Sequence, residues 1–233
     1  MATKNLITIL AGLLLTLAAH SAEPVVPLRW DFENVTTGAL PEGWKVEGTN
    51  QDGPPATWEV QEEKSASGAS KFLTLTKPNH SSRGTFNLCW TDKVRFTNGE
   101  ISVRLRANEG KVDQGGGLIW RARDKDNYYI CRPNPLENNI RLYYVKSGKR
   151  EMLKSADIDM PSGAWHTLRI MHEGAHIRCY FNDALVLEAD DSTIADGGGV
   201  GLWTKADAAT SFDGLEIHLN DAVKSNPPST PGN

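Results

Sequence analysis

Hydrophobic residues in this chain recur at every second position, and no stretch carries the spacing of a helix. In residues 100–107, Ile101, Val103, Leu105 and Ala107 alternate with Ser102, Arg104 and Arg106. In 175–181, Ile177, Cys179 and Phe181 alternate with His176, Arg178 and Tyr180, and in 139–145, Ile140, Leu142 and Tyr144 alternate with Arg141 and Tyr143. Period two with one polar side marks a half-buried antiparallel strand. Similar segments occupy 28–33, 57–61, 71–76, 85–90, 117–123, 128–132, 165–172, 185–188, 200–204 and 215–219. Turn-forming clusters separate them, among them Asn98-Gly99, the stretch 124–127, Ser147-Gly148, Glu173-Gly174, Asn182-Asp183 and Gly197-Gly198-Gly199. A dozen or more short strands without helices predict an all-β, two-sheet antiparallel sandwich or jelly roll in a single domain over 23–222.

The two ends read differently. Residues 1–22 carry Lys4, then an apolar run, then small residues, which is the pattern of a secretory signal peptide cleaved after Ser21 or Ala22. The run is shorter than the roughly 20 apolar residues a spanning helix needs, so the expectation is an exported protein, periplasmic or extracellular, with no membrane insertion after cleavage. Residues 223–233 are rich in Pro and read as a disordered tail.

Charge narrows the partners. With 25 Lys+Arg against 29 Asp+Glu in 233 residues, the net charge of −4 argues against a phosphate-backbone binder, so no nucleic acid is expected. Three cysteines, Cys89, Cys131 and Cys179, cannot all pair. All three fall within strand segments and read as buried thiols, with one disulfide plus one free thiol left open.

His172-Glu173-Gly174-Ala175-His176 matches the H-E-x-x-H zinc motif. That chemistry needs both histidines on one face of a helix. Here both flanks alternate like strands and Glu173-Gly174 reads as a hairpin turn, so the pair reads as two surface histidines on a hairpin.

Four segments are distinctive: Gly115 through Arg132 with its GGGLIWRARDKDNYYICR run, Trp165-His-Thr-Leu-Arg, Gly199-Val-Gly-Leu-Trp-Thr-Lys-Ala-Asp207 and Ser211-Phe-Asp-Gly-Leu-Glu-Ile217. Together with Tyr180-Phe-Asn-Asp they resemble the concanavalin A-like (laminin-G-like) jelly rolls of exported bacterial proteins. More narrowly, the chain resembles the 3-keto-disaccharide hydrolase domain family, which is similar in fold to family 16 glycoside hydrolases. The resemblance implies a carbohydrate-directed protein, with glycoside hydrolysis as one expectation. The E-x-D-x-E strand motif of family 16 is absent: Glu188-Ala-Asp190-Asp191 lacks a second Glu and Asp157-Ile-Asp159 lacks Glu altogether. A retaining mechanism with its carboxylates on one strand is therefore not supported.

Jelly rolls of this kind bind ligands across a concave sheet. The candidate ligand-binding residues, taken as outward-facing, are Arg121, Arg123, Tyr128, Arg132, Asn134, Arg141 and Tyr143, with Trp203, Lys205 and Asp207 as a wall. Aromatic faces and planar polar groups are what sugars require. Asp31, Glu33 and Asp213 lie where the terminal strands would meet, and are candidate ligands for a structural calcium. Three functions remain open: a glycan-binding module, a hydrolase or lyase of modified disaccharides, and a non-catalytic interaction domain of the cell envelope. The oligomeric state is not legible.

Overall fold

The computed structural model describes residues 27–65 and 68–220. The signal-peptide and tail expectations lie outside these residues. Among the described residues every helix or strand is a strand, fifteen in all. One sheet contains β1 (Leu28–Trp30), β3 (Thr57–Ser65), β4 (Gly68–Lys77), β6 (Gly99–Glu109), β11 (Trp165–Glu173), β12 (His176–Phe181), β13 (Ala184–Asp190) and β15 (Ala209–Leu219). Its order is β13-β12-β11-β6-β15-β4-β3, with β1 also paired to β15. The second sheet contains β2 (Lys45–Thr49), β5 (Phe86–Phe96), β7 (Gly117–Asp124), β8 (Asn127–Asn134), β9 (Asn139–Lys146), β10 (Lys149–Asp157) and β14 (Gly198–Lys205). Its order is β10-β9-β8-β7-β14-β5-β2, and every pairing in both sheets is antiparallel.

The main core lies between the sheets. Ile101, Val103 and Leu105 of β6, Leu168 and Ile170 of β11, and Ile177 and Cys179 of β12 face Leu118, Trp120, Tyr129, Cys131, Ile140 and Leu142 of the second sheet. These are the alternating sets of the sequence, directed inward as period two requires. Cys89, Cys131 and Cys179 are buried free thiols.

A second apolar cluster was not expected. Phe86, Leu88, Trp90, Ile119, Ala122, Tyr128, Ile130, Tyr143, Val145 and Trp203 pack together on the other face of the β10–β2 sheet. That sheet therefore buries both faces, and Trp90, Trp203 and Tyr143 are only 2%, 1% and 4% exposed. Close packing here depends on glycine. A Cβ at Gly201 would lie 2.3 Å from the Cβ of Trp90, and one at Gly117 would lie 2.9 Å from the Cβ of Arg132. Their bare backbones leave room for the large side chains to lie flat across the sheet.

The sheet curls far enough that its edges approach. β2 and β10 are its two outer strands, yet Asn50, just after β2, donates its side-chain N–H to the carbonyl of Gly148 in the β9–β10 turn (3.0 Å). The Gly148 N–H in turn donates to the carbonyl of Asp126. The Thr49 hydroxyl donates to the Lys125 carbonyl and meets the Tyr128 hydroxyl at 2.8 Å. Burying one such aromatic side chain contributes about 1.5–3 kcal/mol, so the inside of this curl is a substantial stabilising element.

Candidate polar site on the concave face

The curl corrects several site expectations. Tyr128, Tyr143 and Trp203 do lie on the concave face, but as members of the second core rather than as open platforms. Arg121 does not reach that face. Its backbone has φ 48° at an irregularity in the β7–β8 register, which turns the side chain away. The guanidinium donates to the carbonyls of Thr97 (2.9 Å), Ile194 (3.0 Å) and Gly174 (3.0 Å), bracing three connections. Arg123 is half-exposed within the same irregularity and pairs with Asp196. Asp207 caps a loop: it accepts the backbone N–H groups of Lys111 (2.8 Å), Val112 (3.0 Å) and Asp113 (2.9 Å). Burial works to raise the Asp207 pKa, but these N–H groups win and hold it below the usual carboxylate range.

The remaining candidates converge at the polar end of the concave face. Register aligns Trp203 with Gly117 and Arg132 with Arg141. Arg132 is 1% exposed. It donates to Asn139 Oδ1 (3.0 Å), Glu137 Oε2 (2.9 Å) and the Tyr143 hydroxyl (3.4 Å). Arg141 donates to the same Glu137 oxygen at 2.7 Å. Glu137 is thus shared by two guanidiniums and Asn139. Burial opposes its ionisation, yet Arg132, Asn139 and Arg141 keep its pKa below the usual value. Next to this group, buried Asp113 accepts from Lys205 Nζ (2.6 Å) and Asn134 Nδ2 (2.9 Å).

Two residues escaped the sequence reading because their segments do not alternate clearly. Glu137 sits in the β8–β9 turn, and Arg150 on the edge strand β10. The Arg150 guanidinium lies 4.3 Å from the Tyr143 ring centroid, 5.0 Å from Phe86 and 6.0 Å from Trp203. Burial, reinforced by Arg132, lowers its pKa. A cleft of about 560 Å³ opens beside Glu137, lined by Glu137, Asn138, Asp157, Ile158 and Asp159. It gathers carboxylates from a turn and from the end of β10, so the acidic groups absent from any single strand do meet in space.

The histidine motif is divided by the fold. Glu173 pairs with His176 across the hairpin. His176 is outside, between Asp190 (2.8 Å) and Glu188 (3.1 Å). His172 is not a surface residue: it is fully buried, and its Nδ1 accepts the Trp120 indole N–H at 2.9 Å. Burial and nearby Arg121 push its pKa down to about 3.

The calcium expectation is not supported. Asp31, Glu33 and Asp213 do gather near the β1–β15 junction, and their mutual repulsion adds to burial in raising the Asp213 pKa. However, Asp213 lies 3.6 Å from Arg104, and Glu33 accepts the Lys71 N–H. Among the described residues no group of three or more His, Cys, Asp or Glu side chains could hold a metal ion. Calcium needs six to eight oxygens, more than these residues bring together.

Two antiparallel sheets, one curled around a face whose rim carries arginines, amides and a carboxylate cleft, define a jelly-roll β-sandwich. The chain belongs to the 3-keto-alpha-glucoside-1,2-lyase-like domain family, whose model matches residues 31–218, and this is a carbohydrate-related family. No curated protein matches the chain at significant sequence similarity. Among solved structures, a carbohydrate-binding module, CBM66 from Bacillus subtilis, is similar with a TM-score of 0.55 and 18% identity, covering 76% of this chain and 96% of that one. A β-glucanase from Bacillus licheniformis is similar with a TM-score of 0.53 and 13% identity, covering 82% and 97%. At such identities the likeness establishes the jelly-roll fold.

Proposed function

We propose that this protein is exported and binds a small glycan, of disaccharide size, at the polar end of the curled sheet. The observation that carries this reading is the convergence of Arg132, Arg141 and Asn139 on Glu137, with the Tyr143 hydroxyl against Arg132, beside a cleft of about 560 Å³. Fixed planar donors and acceptors beside a concave opening suit paired hydrogen bonds to sugar hydroxyls. The filled concave face leaves no open trough for a long polysaccharide. Export rests on the leader pattern of residues 1–22.

The family match supports a second reading, 1,2-elimination from a 3-keto-glycoside. There a base removes the C2 proton next to the ketone, the electron pair forms the C1–C2 double bond, and the glycosidic oxygen leaves and takes up a proton. Asp113 is enclosed, so Glu137 is the accessible carboxylate among the contacting groups. Held as an anion by two arginines, it is a weak base. Binding therefore ranks first. Calorimetric titration with glucose disaccharides and their 3-keto forms tests it, with product release followed in parallel. Binding lost in Arg141→Ala without turnover supports the binding reading, turnover abolished by Glu137→Gln supports elimination, and neither binding nor turnover overturns both. Amino-terminal sequencing of the protein from the periplasm or medium tests export, and an intact Met1 would refute it.

A further inference from the structure

On the aromatic face of the curled sheet, Arg150 carries a charge that no described residue answers. The Arg150 side chain makes no hydrogen bond or ion pair among the described residues, and its Nη1 is fully buried. The cations of the neighbouring polar cluster are matched: Arg132 and Arg141 by Glu137, and Lys205 by Asp113. Arg132 adds a second donor of the same kind, since its Nε is also buried without a partner although the residue is only 1% exposed. Arg150 as a whole is partly exposed, but a partly desolvated guanidinium with a buried, unbonded N–H is costly, and buried polar groups in native proteins are almost always bonded. The Tyr143, Phe86 and Trp203 rings hold the Arg150 guanidinium in place by cation–π attraction but accept no hydrogen bond in its plane.

We infer that Arg150 is the anchor for an anionic group on the bound sugar, so that the site selects acidic sugars bearing a carboxylate over neutral ones. This inference rests on the proposed sugar-binding role of the same face. A carboxylate matches the guanidinium fork, and the low-dielectric aromatic setting strengthens the pair. The neighbouring Glu137 cluster then orders the hydroxyls, and the carboxylates of the outer cleft discourage an anion from binding there instead.

The test is titration of the full chain with D-glucuronate, D-glucose and inorganic phosphate, followed by calorimetry and by amide chemical shifts of β9, β10 and β14. The expected result is glucuronate bound about tenfold more tightly than glucose at low salt, the preference shrinking as salt rises. Phosphate is expected to be weaker than glucuronate, because it lacks the sugar contacts. Arg150→Met fills the same space above the rings and is expected to bind both sugars equally while still binding glucose. Arg150→Lys retains charge without the fork, and is expected to keep part of the preference. Thermal melts identify any variant that fails to fold, and the wild-type comparison of the two sugars stands without either variant. Equal binding of the two sugars by the wild type, a preference surviving in Arg150→Met, or phosphate binding as well as glucuronate overturns the inference alone. No binding of either monosaccharide also overturns the inference, and the underlying reading falls with it only if glucose disaccharides, titrated in parallel, are not bound either.

Discussion

Thr49 and Tyr128 lie 79 positions apart in the chain and on different strands of the curled sheet, and their hydroxyls meet at 2.8 Å. Thr49 passes its own proton to the Lys125 carbonyl, so Tyr128 is the donor in that pair. The contact fastens the β2 edge over the second core. Thr49→Val is expected to destabilise the protein by about 1–2 kcal/mol, since it leaves a buried phenol and a carbonyl unanswered. Urea unfolding checks this. In a double-mutant cycle with Tyr128→Phe, purely additive losses would show that the two hydroxyls do not act together.

Arg121 holds three carbonyls from separate connections while facing away from the sugar site. Arg121→Met is expected to cost about 2–4 kcal/mol, because those buried carbonyls lose their donors together. Sugar affinity of the folded fraction is expected to stay within twofold. A larger change in affinity at unchanged stability would return Arg121 to the site.

Glu137 neutralises both Arg132 and Arg141, and the first of these is enclosed. Glu137→Ala is expected to destabilise by about 3–5 kcal/mol through the stranded Arg132 charge. Arg141→Ala breaks only the half-exposed arm of the cluster, and is expected to cost at most about 1 kcal/mol. Parallel denaturation curves compare the two. Equal losses would mean that burial of Arg132 does not set the energetics here.

His172 is neutral in the folded protein, with its pKa pushed down to about 3 from an ordinary 6.5. Below pH 6.5 the unfolded chain takes up a proton that the folded chain refuses. Stability is therefore full above that pH and falls as pH drops from 6.5 towards 3. One proton corresponds to a slope of up to about 1.4 kcal/mol per pH unit. His172→Gln is expected to flatten this limb. Chemical denaturation at pH 7, 5.5 and 4.5 measures it, and identical slopes for both proteins would exclude His172 as the titrating group.

Asp207 acts in a lower window. Its folded pKa lies below the ordinary 3.8, so its contribution is full above that value and fades as pH falls further. Asp207→Ala is expected to speed amide exchange at Lys111, Val112 and Asp113, whose N–H groups it now binds. Unchanged protection at those three positions would exclude the cap.

Much of the sandwich was legible because one-sided burial writes itself as alternation, as in Ile101, Val103 and Leu105. The second core was not, for a physical reason. Strands buried on both faces lose alternation and read as continuous apolar runs, as Leu118-Ile119-Trp120 and Tyr128-Tyr129-Ile130-Cys131 do. Those runs were visible, but pairing them with a face needs the curl. β2 and β10 were missed as well, since β2 is short and charged residues dominate β10. Arg150 went unnoticed with its strand, and Glu137 because a turn carries no periodic signal. For Arg121, alternation assigned the wrong side: one left-handed residue broke the count. Arg132, Arg141, Asn134 and Lys205 kept to it and lie in the polar cluster at the end of the concave face.

The edges of the curled sheet have a bearing on how the protein behaves in crowded solution. An open edge strand is a template on which further chains can be laid down, and the usual defences are charge, irregularity and cover. β10 has the first two, with Lys149 and Lys154 along it and a break in register between Met152 and Lys154. Near one end β2 has the third, through the Asn50 bond to the opposite edge. The bend that hides the aromatic face thus also shields the protein from fibril growth along this sheet.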